Sequence, residues 1–264
     1  MRFSIVTPIL NGMPWLPECV DSVATQRSHV EVEHLVFDAG STDGSREWLR
    51  DHVELGYSAV FEPDAGQTDA LIKGFSRATG HVFGWLNADD VLEPGALARV
   101  AEILEAKADV ALVSGCCLKV AEDGAYRGLI GTPRVHDFHG LVSHLENPAQ
   151  PATFFRADAY RAAGGLDRRY DLAMDVDLWL RLSQMGALHF LPKDILARFR
   201  VHEGSKSVKW EARAAQEDLA IRRRHGLTLR NETALRLLYT ARVGLPVRSV
   251  RRRTLRLLRP LFSR

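Results

Sequence analysis

The stretch that most constrains the fold is Gly80–Glu93, GHVFGWLNADDVLE. Its first half, His81–Leu86, is apolar and rich in β-branched and aromatic residues, the composition of a buried strand. The strand runs straight into Asn87-Ala88-Asp89-Asp90, and Glu93-Pro94-Gly95 then opens a helix. Two carboxylates and an amide therefore sit at the carboxyl end of a central strand, the edge where open α/β sheets bind ligands. Oxygen ligands clustered there suit a hard divalent cation such as Mn²⁺ or Mg²⁺. Standing alone, the same four residues would be an acidic turn capping the next helix, so the rest of the chain has to decide.

Strands expected at Phe3–Pro8, His34–Phe37, Ser58–Phe61, His81–Leu86 and Val110–Ser114 alternate with helical stripes at Pro14–Gln26, Ser45–His52, Gln67–Thr79 and Pro94–Ala106. This alternation predicts a parallel, doubly wound sheet with right-handed crossovers. Three successive strands end in Asp-bearing loops, and parallel strands share one carboxyl edge. Thr7, Asp38, Asp64 and Asp89 are therefore expected to converge. The second half is less regular. It reads as a hairpin over Cys116–Arg134, a strand at Thr153–Phe155, a helix over Asp175–Met185, and short strands at Leu188–Leu191 and Leu196–Val201. His136, His139 and His144 invite a zinc reading. They have neither helical i,i+4 spacing nor a carboxylate partner, and an acceptor-side loop is preferred.

Met1–Val6 begins a strand at once, so no signal peptide is expected, and no apolar run reaches the length of a membrane span. Cys19, Cys116 and Cys117 have no metal-binding spacing and fit a reducing, cytoplasmic compartment. The net charge of +2 conceals an asymmetry: Arg222 to Arg264 holds 13 arginines and one acid, a balance of +12, against −10 for the remainder. An acidic body and a basic tail suggest separate jobs.

Six segments then carry a resemblance: FSIVTPILNG, FDAGSTDGS, EPDAGQTDALIKG, ATGHVFGWLNADD, GGLDRRYDLAMDVDLWLRL and FRVHEGSKS. In this order and spacing they resemble the family 2 glycosyltransferases of GT-A fold, from Phe3 to about Ser207. The resemblance implies a Rossmann-like, mostly parallel sheet with flanking helices, and metal-dependent transfer from a nucleoside-diphosphate sugar of UDP or GDP type, usually with inversion. The acceptor would be a saccharide or lipid-linked saccharide in polysaccharide or glycolipid assembly. By the same resemblance Thr7 and Pro8 line the base pocket, Asp38 hydrogen-bonds the base and Asp64 lies on the donor side. Lys73 is the basic residue near the nucleotide. Asn87-Ala88-Asp89 takes the DxD position with Asn for the leading acid. Asp89 is the direct metal ligand, and Asn87 turns to the ribose or a metal-bound water. Asp90 either supports the metal or caps the next helix. His202 ligates the metal or touches diphosphate, while Ser205 and Ser207 donate to phosphate. Asp175 matches the catalytic base, with Met174 where the family usually has a second acid.

The chemistry of such a transfer needs a positive centre at the departing diphosphate and a carboxylate to take the acceptor proton. Asp175 is expected to stay ionised because it opens a helix, whereas Asp177 points to another face. The expected domains are 1–220 for catalysis and 221–264 for a basic helical tail. That tail either binds an anionic membrane surface or packs on the body; no nucleic-acid signature accompanies it. A peripheral position at the inner face of the plasma membrane follows from the first option. Two rivals stand beside transfer: a nucleotidyltransferase, for which Ile9–Met13 lacks a glycine-rich basic loop, and a nucleotide-sugar-binding protein without transfer activity.

Overall fold

β1 (Arg2–Ile9), β2 (Glu31–Asp38), β3 (Tyr57–Phe61) and β4 (Val82–Trp85) form a parallel array in the order β3-β2-β1-β4. The computed structural model describes residues 1–143 and 147–228. Crossovers α1 (Leu16–Ala24), α2 (Ser45–Asp51) and α3 (Gln67–Arg77) join the four strands. The chain leaves β1 in one direction for β2 and β3, then returns to its other side as β4. That reversal makes a topological switch point, where the loops after β1 and β4 diverge and leave a crevice. The N-x-D-D turn follows β4 and so lies at this crevice.

Alternate strand residues feed opposite layers. Val6, Phe83 and Trp85 pack in one core with Leu71 and Phe75 of α3, whereas Phe3, Ile5 and Val82 pack in a second with Cys19 and Val23 of α1 and with α4 (Ala96–Ala106). Gly74 sets the distance between α3 and the sheet. A Cβ there would stand 2.4 Å from Val6 Cγ1, so any side chain would lift the helix off β1.

Beyond β4 the sheet departs from the expected parallel winding. β8 (Thr153–Arg156) pairs antiparallel with both β4 and β6 (Val110–Ala121), and β9 (Ala187–Val201) runs parallel to β6 and antiparallel to β5 (Val91–Leu92). β7 (Tyr126–Ile130) returns on β6 as the expected hairpin. A short turn can join only antiparallel neighbours, because a parallel return needs a crossover of a dozen or more residues. The two short strands expected over 188–201 are one strand, interrupted where the partner of Gly115 is Leu191 and that of Cys116 is Ile195. Pro192, which has no N–H to give the ladder, falls in that bulge.

α5 (Phe138–Ser143), α7 (Met174–Leu182) and α9 (Glu211–Arg224) follow in the second half, with α6 (Ala157–Ala162) between β8 and α7 and α8 (Lys206–Lys209) just before α9. The expected boundary at residue 220 falls inside α9. Ile221 and Arg222 are both 0% exposed, and the Arg222 guanidinium donates to Asp218 Oδ1 (2.6 Å), Asn147 Oδ1 (2.7 Å) and the Leu141 carbonyl. The first arginine of the basic segment is thus a core residue. The helices expected over 232–241 and 247–261 lie outside the described residues. No described helix is long and apolar enough to cross a membrane. The three cysteines are buried and unpaired with one another.

Ile221→Ala is expected to cost about 2–5 kcal/mol, the range for large-to-Ala truncation in a core. Denaturant unfolding measures it; a change below about 0.5 kcal/mol, ordinary for a surface site, would detach α9 from the domain.

Candidate active site

The turn after β4 closes through an Asp90 N–H bond to the Asn87 carbonyl (3.0 Å). Its side chains then divide. Asp90 is 0% exposed; its Oδ2 accepts from Asn87 Nδ2 (3.2 Å) and its Oδ1 from the backbone N–H of Arg200 (3.1 Å). Burial, and then the charge of Asp89, push the Asp90 carboxyl well above the ordinary range. Asp90 thus faces away from the crevice and ties the turn to β9, while α4 begins farther on, just after Gly95. Asp89 points the other way, into the crevice, with its Oδ2 3.0 Å from His202 Nε2.

Beneath this turn sits Arg200, only 4% exposed. It donates to Glu18 Oε2 (2.5 Å) on α1, to the Asp89 carbonyl (3.2 Å) and to the Glu122 carbonyl (3.0 Å) in the β6–β7 turn. The strand ends one residue later, at Val201, and releases His202 toward Asp89. The Trp15 ring lies against His202, with centroids 4.2 Å apart.

A cavity of about 650 Å³ opens at this edge, and Pro8, Asp64, Asn87, Asp89, Asp175, His202 and Ser205 all line it. Asp64 Oδ1 accepts from Gly66 N–H (2.8 Å), which fixes the loop after β3. Both ends of the Asn87 amide are engaged: Oδ1 accepts from Gln67 Nε2 (2.6 Å), and Nδ2 also donates to Gln150 Oε1 (3.2 Å). Asn87 thus lines the cavity with its amide tied to protein partners. Ser205 Oγ accepts from the His202 N–H (3.1 Å), which leaves its hydroxyl proton available.

Three expected donor-side residues are not in the cavity lining. Thr7 is 0% exposed, with Oγ1 2.9 Å from His34 Nε2. Burial, then the nearby Arg27 charge, push that imidazole down to about 3 and keep it neutral. Asp38 is buried under Arg46. Burial alone would raise its carboxyl, but hydrogen bonds from Ser41 and Arg46 hold it below its usual value. Lys73 donates to the Pro63 carbonyl (2.7 Å) and pairs with Asp69 (3.1 Å). Local partners take these groups because each stands beside a complementary group on its own or an adjacent element.

Asp175 is the second residue of α7 and faces the cavity. Its carboxyl is pushed up to about 6 by loss of water contact; a Val176 N–H bond opposes this, and the charges of Asp218 and Glu217 add to it. The expected helix-terminus effect does not dominate, yet a group titrating near 6 is still mostly ionised at neutral pH. Asp177 lies on the opposite side, bonded to Arg181 (2.5 Å) and to His225 (3.2 Å). His136 packs on Phe190, His139 is exposed and His144 lies outside the described residues, as does the Ser207 side chain. Among the described residues no group of three or more His, Cys, Asp or Glu side chains is set to hold a metal ion alone. Trp15, Gln67, Gln150, Arg200 and Glu217 were not singled out by the sequence. Gln67 and Arg200 stand inside the resembling segments, whereas Gln150 and Glu217 carry no local signal.

The sequence profile described as "Glycosyl transferase family 2" matches residues 4–146, and the chain belongs to the family 2 glycosyltransferases. A "PGL/p-HBAD biosynthesis glycosyltransferase" of Mycobacterium bovis is 30% identical over 190 residues, covering 70% of this chain and 71% of that protein. The fold is GT-A. It matches a mannosyltransferase of Pyrobaculum calidifontis solved with GDP-Man and Mn²⁺ (TM-score 0.67, 21% identity, 98% of this chain and 75% of that one). It also matches S. aureus TarS 1–349 solved with UDP-GlcNAc (TM-score 0.66, 14% identity, 94% of this chain and 74% of that one). The chain spans from 33% to 71% of the length of the curated relatives named here and of a cyanobacterial one from Nostoc.

Asp177→Asn is expected to lower stability by about 1.5–3 kcal/mol, the value of hydrogen bonds to a charged partner. It should leave nucleotide affinity unchanged. Chemical denaturation beside a nucleotide titration measures both, and an unchanged stability would remove Asp177 from the core network.

Proposed function

We propose that the chain transfers a hexose-type unit from a UDP- or GDP-sugar to a hydroxyl of a saccharide or lipid-linked saccharide, with inversion at the sugar carbon. The observation that carries this is one cavity lined by the Asp89–His202 pair and, across it, by Asp175. The donor classes follow the ligands of the two solved structures, GDP-Man and UDP-GlcNAc. The acceptor class follows the name of the mycobacterial relative.

A carboxylate oxygen and an imidazole nitrogen side by side fit Mn²⁺ or Mg²⁺, which takes part of its shell from substrate phosphates and water. Asp89 and His202 would hold the ion, and its charge would offset that of the departing diphosphate. Two protein donors suit this arrangement, since an ion shared with the substrate needs open positions. Asp90 supports it from behind by fixing the turn, without reaching the ion.

On the acceptor side the Asp175 carboxylate takes the hydroxyl proton as the oxygen bonds to the sugar carbon and the bond to diphosphate breaks. One carboxylate on the face opposite the leaving group gives inversion. The proposed setting is the cytoplasmic face of the plasma membrane, where a lipid-linked acceptor and an arginine-rich segment would meet anionic lipid.

Asp89→Asn is expected to abolish the Mn²⁺-dependent part of UDP or GDP binding, while Asp90→Asn keeps it. Calorimetric titration with and without Mn²⁺ reads this, and full metal dependence in Asp89→Asn would remove Asp89 from the ion site. Asp175→Asn is expected to lower kcat by about 10²–10⁴-fold with donor affinity little changed. Because a raised carboxyl pKa delays ionisation, the wild-type rate should climb about tenfold per pH unit below about 6 and level off above it. A flat profile between pH 4.5 and 7 would exclude Asp175 as the titrating base.

A further inference from the structure

The loop that enters α7 has no cap of its own. The residue before the helix is Ala173, which offers no side-chain acceptor and is a poor helix starter. The missing acceptor comes from α9. One oxygen of Glu217, Oε1, accepts the backbone N–H groups of Asp171 (2.9 Å), Leu172 (2.9 Å) and Ala173 (2.8 Å). Three successive N–H groups turned to one side form a concavity that favours an anion. Here the anion is part of the chain, and the backbone it holds ends two residues before Asp175.

The loop's other tethers act elsewhere. Thr68 donates to the Tyr170 carbonyl (2.7 Å), Arg168 reaches Asp69 (2.9 Å), and Lys206 pairs with the Asp171 side chain (3.1 Å). None of these holds the backbone of 171–173. We propose that Glu217 is a positioning residue that fixes this backbone and thereby the place of Asp175, so that α9 belongs to the transfer machinery. α9 lies beyond residues 4–146 matched by the family profile, so that match does not assign it a role. α9 also lines the cavity, through Ala214, Ala215 and Asp218.

The inference rests on Asp175 acting as the base. A misplacement of about 1 Å in a reacting group costs up to about 10²-fold in rate. Glu217→Ala removes the shared acceptor, and Glu217→Gln keeps an uncharged carbonyl oxygen at the same reach. The expected result is a fall in kcat of about 10–100-fold for Glu217→Ala, with donor Kd within about twofold of wild type. Glu217→Gln should recover part of the loss. Hydrogen exchange of the full chain should speed up at the amides of Asp171, Leu172 and Ala173 in Glu217→Ala and stay unchanged in the β1–β4 array.

A folded Glu217→Ala protein with wild-type kcat overturns the proposal. So does a loss in which kcat and unfolding midpoint fall while donor Kd rises with them, which marks general damage. If Glu217→Ala does not fold, Glu217→Gln decides by the same split between kcat and Kd. Wild-type protein that binds UDP or GDP but transfers to no acceptor would defeat the reading of Asp175 as a base; the exchange rates would then still decide whether Glu217 holds the loop.

Discussion

A buried guanidinium has to find acceptors for its donors or the fold cannot keep it. Arg200 meets this demand by gathering Glu18 of α1, the carbonyl of Asp89 and the carbonyls of Ala121 and Glu122, while its own backbone N–H goes to Asp90. Three parts of the chain that are far apart in sequence are thereby fixed to β9. The consequence for the site is direct. The turn after β4 is held by its carbonyl and by Asp90, which frees Asp89 to face the crevice, and His202 is delivered beside it. Removing the guanidinium would leave Glu18 without this partner and Asp90 buried on a loosened turn.

The second constraint is the topology. Because β1 and β4 are neighbours but belong to oppositely directed windings, the loops after them part and leave room for a ligand. The antiparallel β8, with β6 and β9 beyond it, extends the sheet past this point and brings α7 and α9 to the other side of the cavity. Asp89 and Asp175 thus face one space, although no local sequence relation links them.

The parallel half was legible because its signal is local: an apolar run, a polar loop, a helical stripe, repeated. The antiparallel half was not, because β8 pairs with strands distant in the chain and β9 hides a bulge at Pro192. Asp89, Asp175 and His202, each singled out by resemblance, all line the one cavity. Thr7, Asp38 and Lys73 are held by protein partners and do not line the cavity; at the end of a strand or on a helix the pattern does not say which neighbour will claim a side chain. His34, Arg46 and Asp69 claim these three. The balance of effects on the Asp175 charge was hidden for a related reason. The helix start was counted as favouring its charge, whereas Glu217 and Asp218 of α9 bring negative charge to the same place and burial outweighs both.

The central claim is that the leaving group and the base lie on opposite faces of the transferred sugar, with Asp175 as that base. The anomeric configuration of the product, read by proton NMR before any equilibration, tests this most directly. Transfer from an α-linked nucleoside-diphosphate sugar should give a β-glycoside, and an α-glycoside would contradict the account.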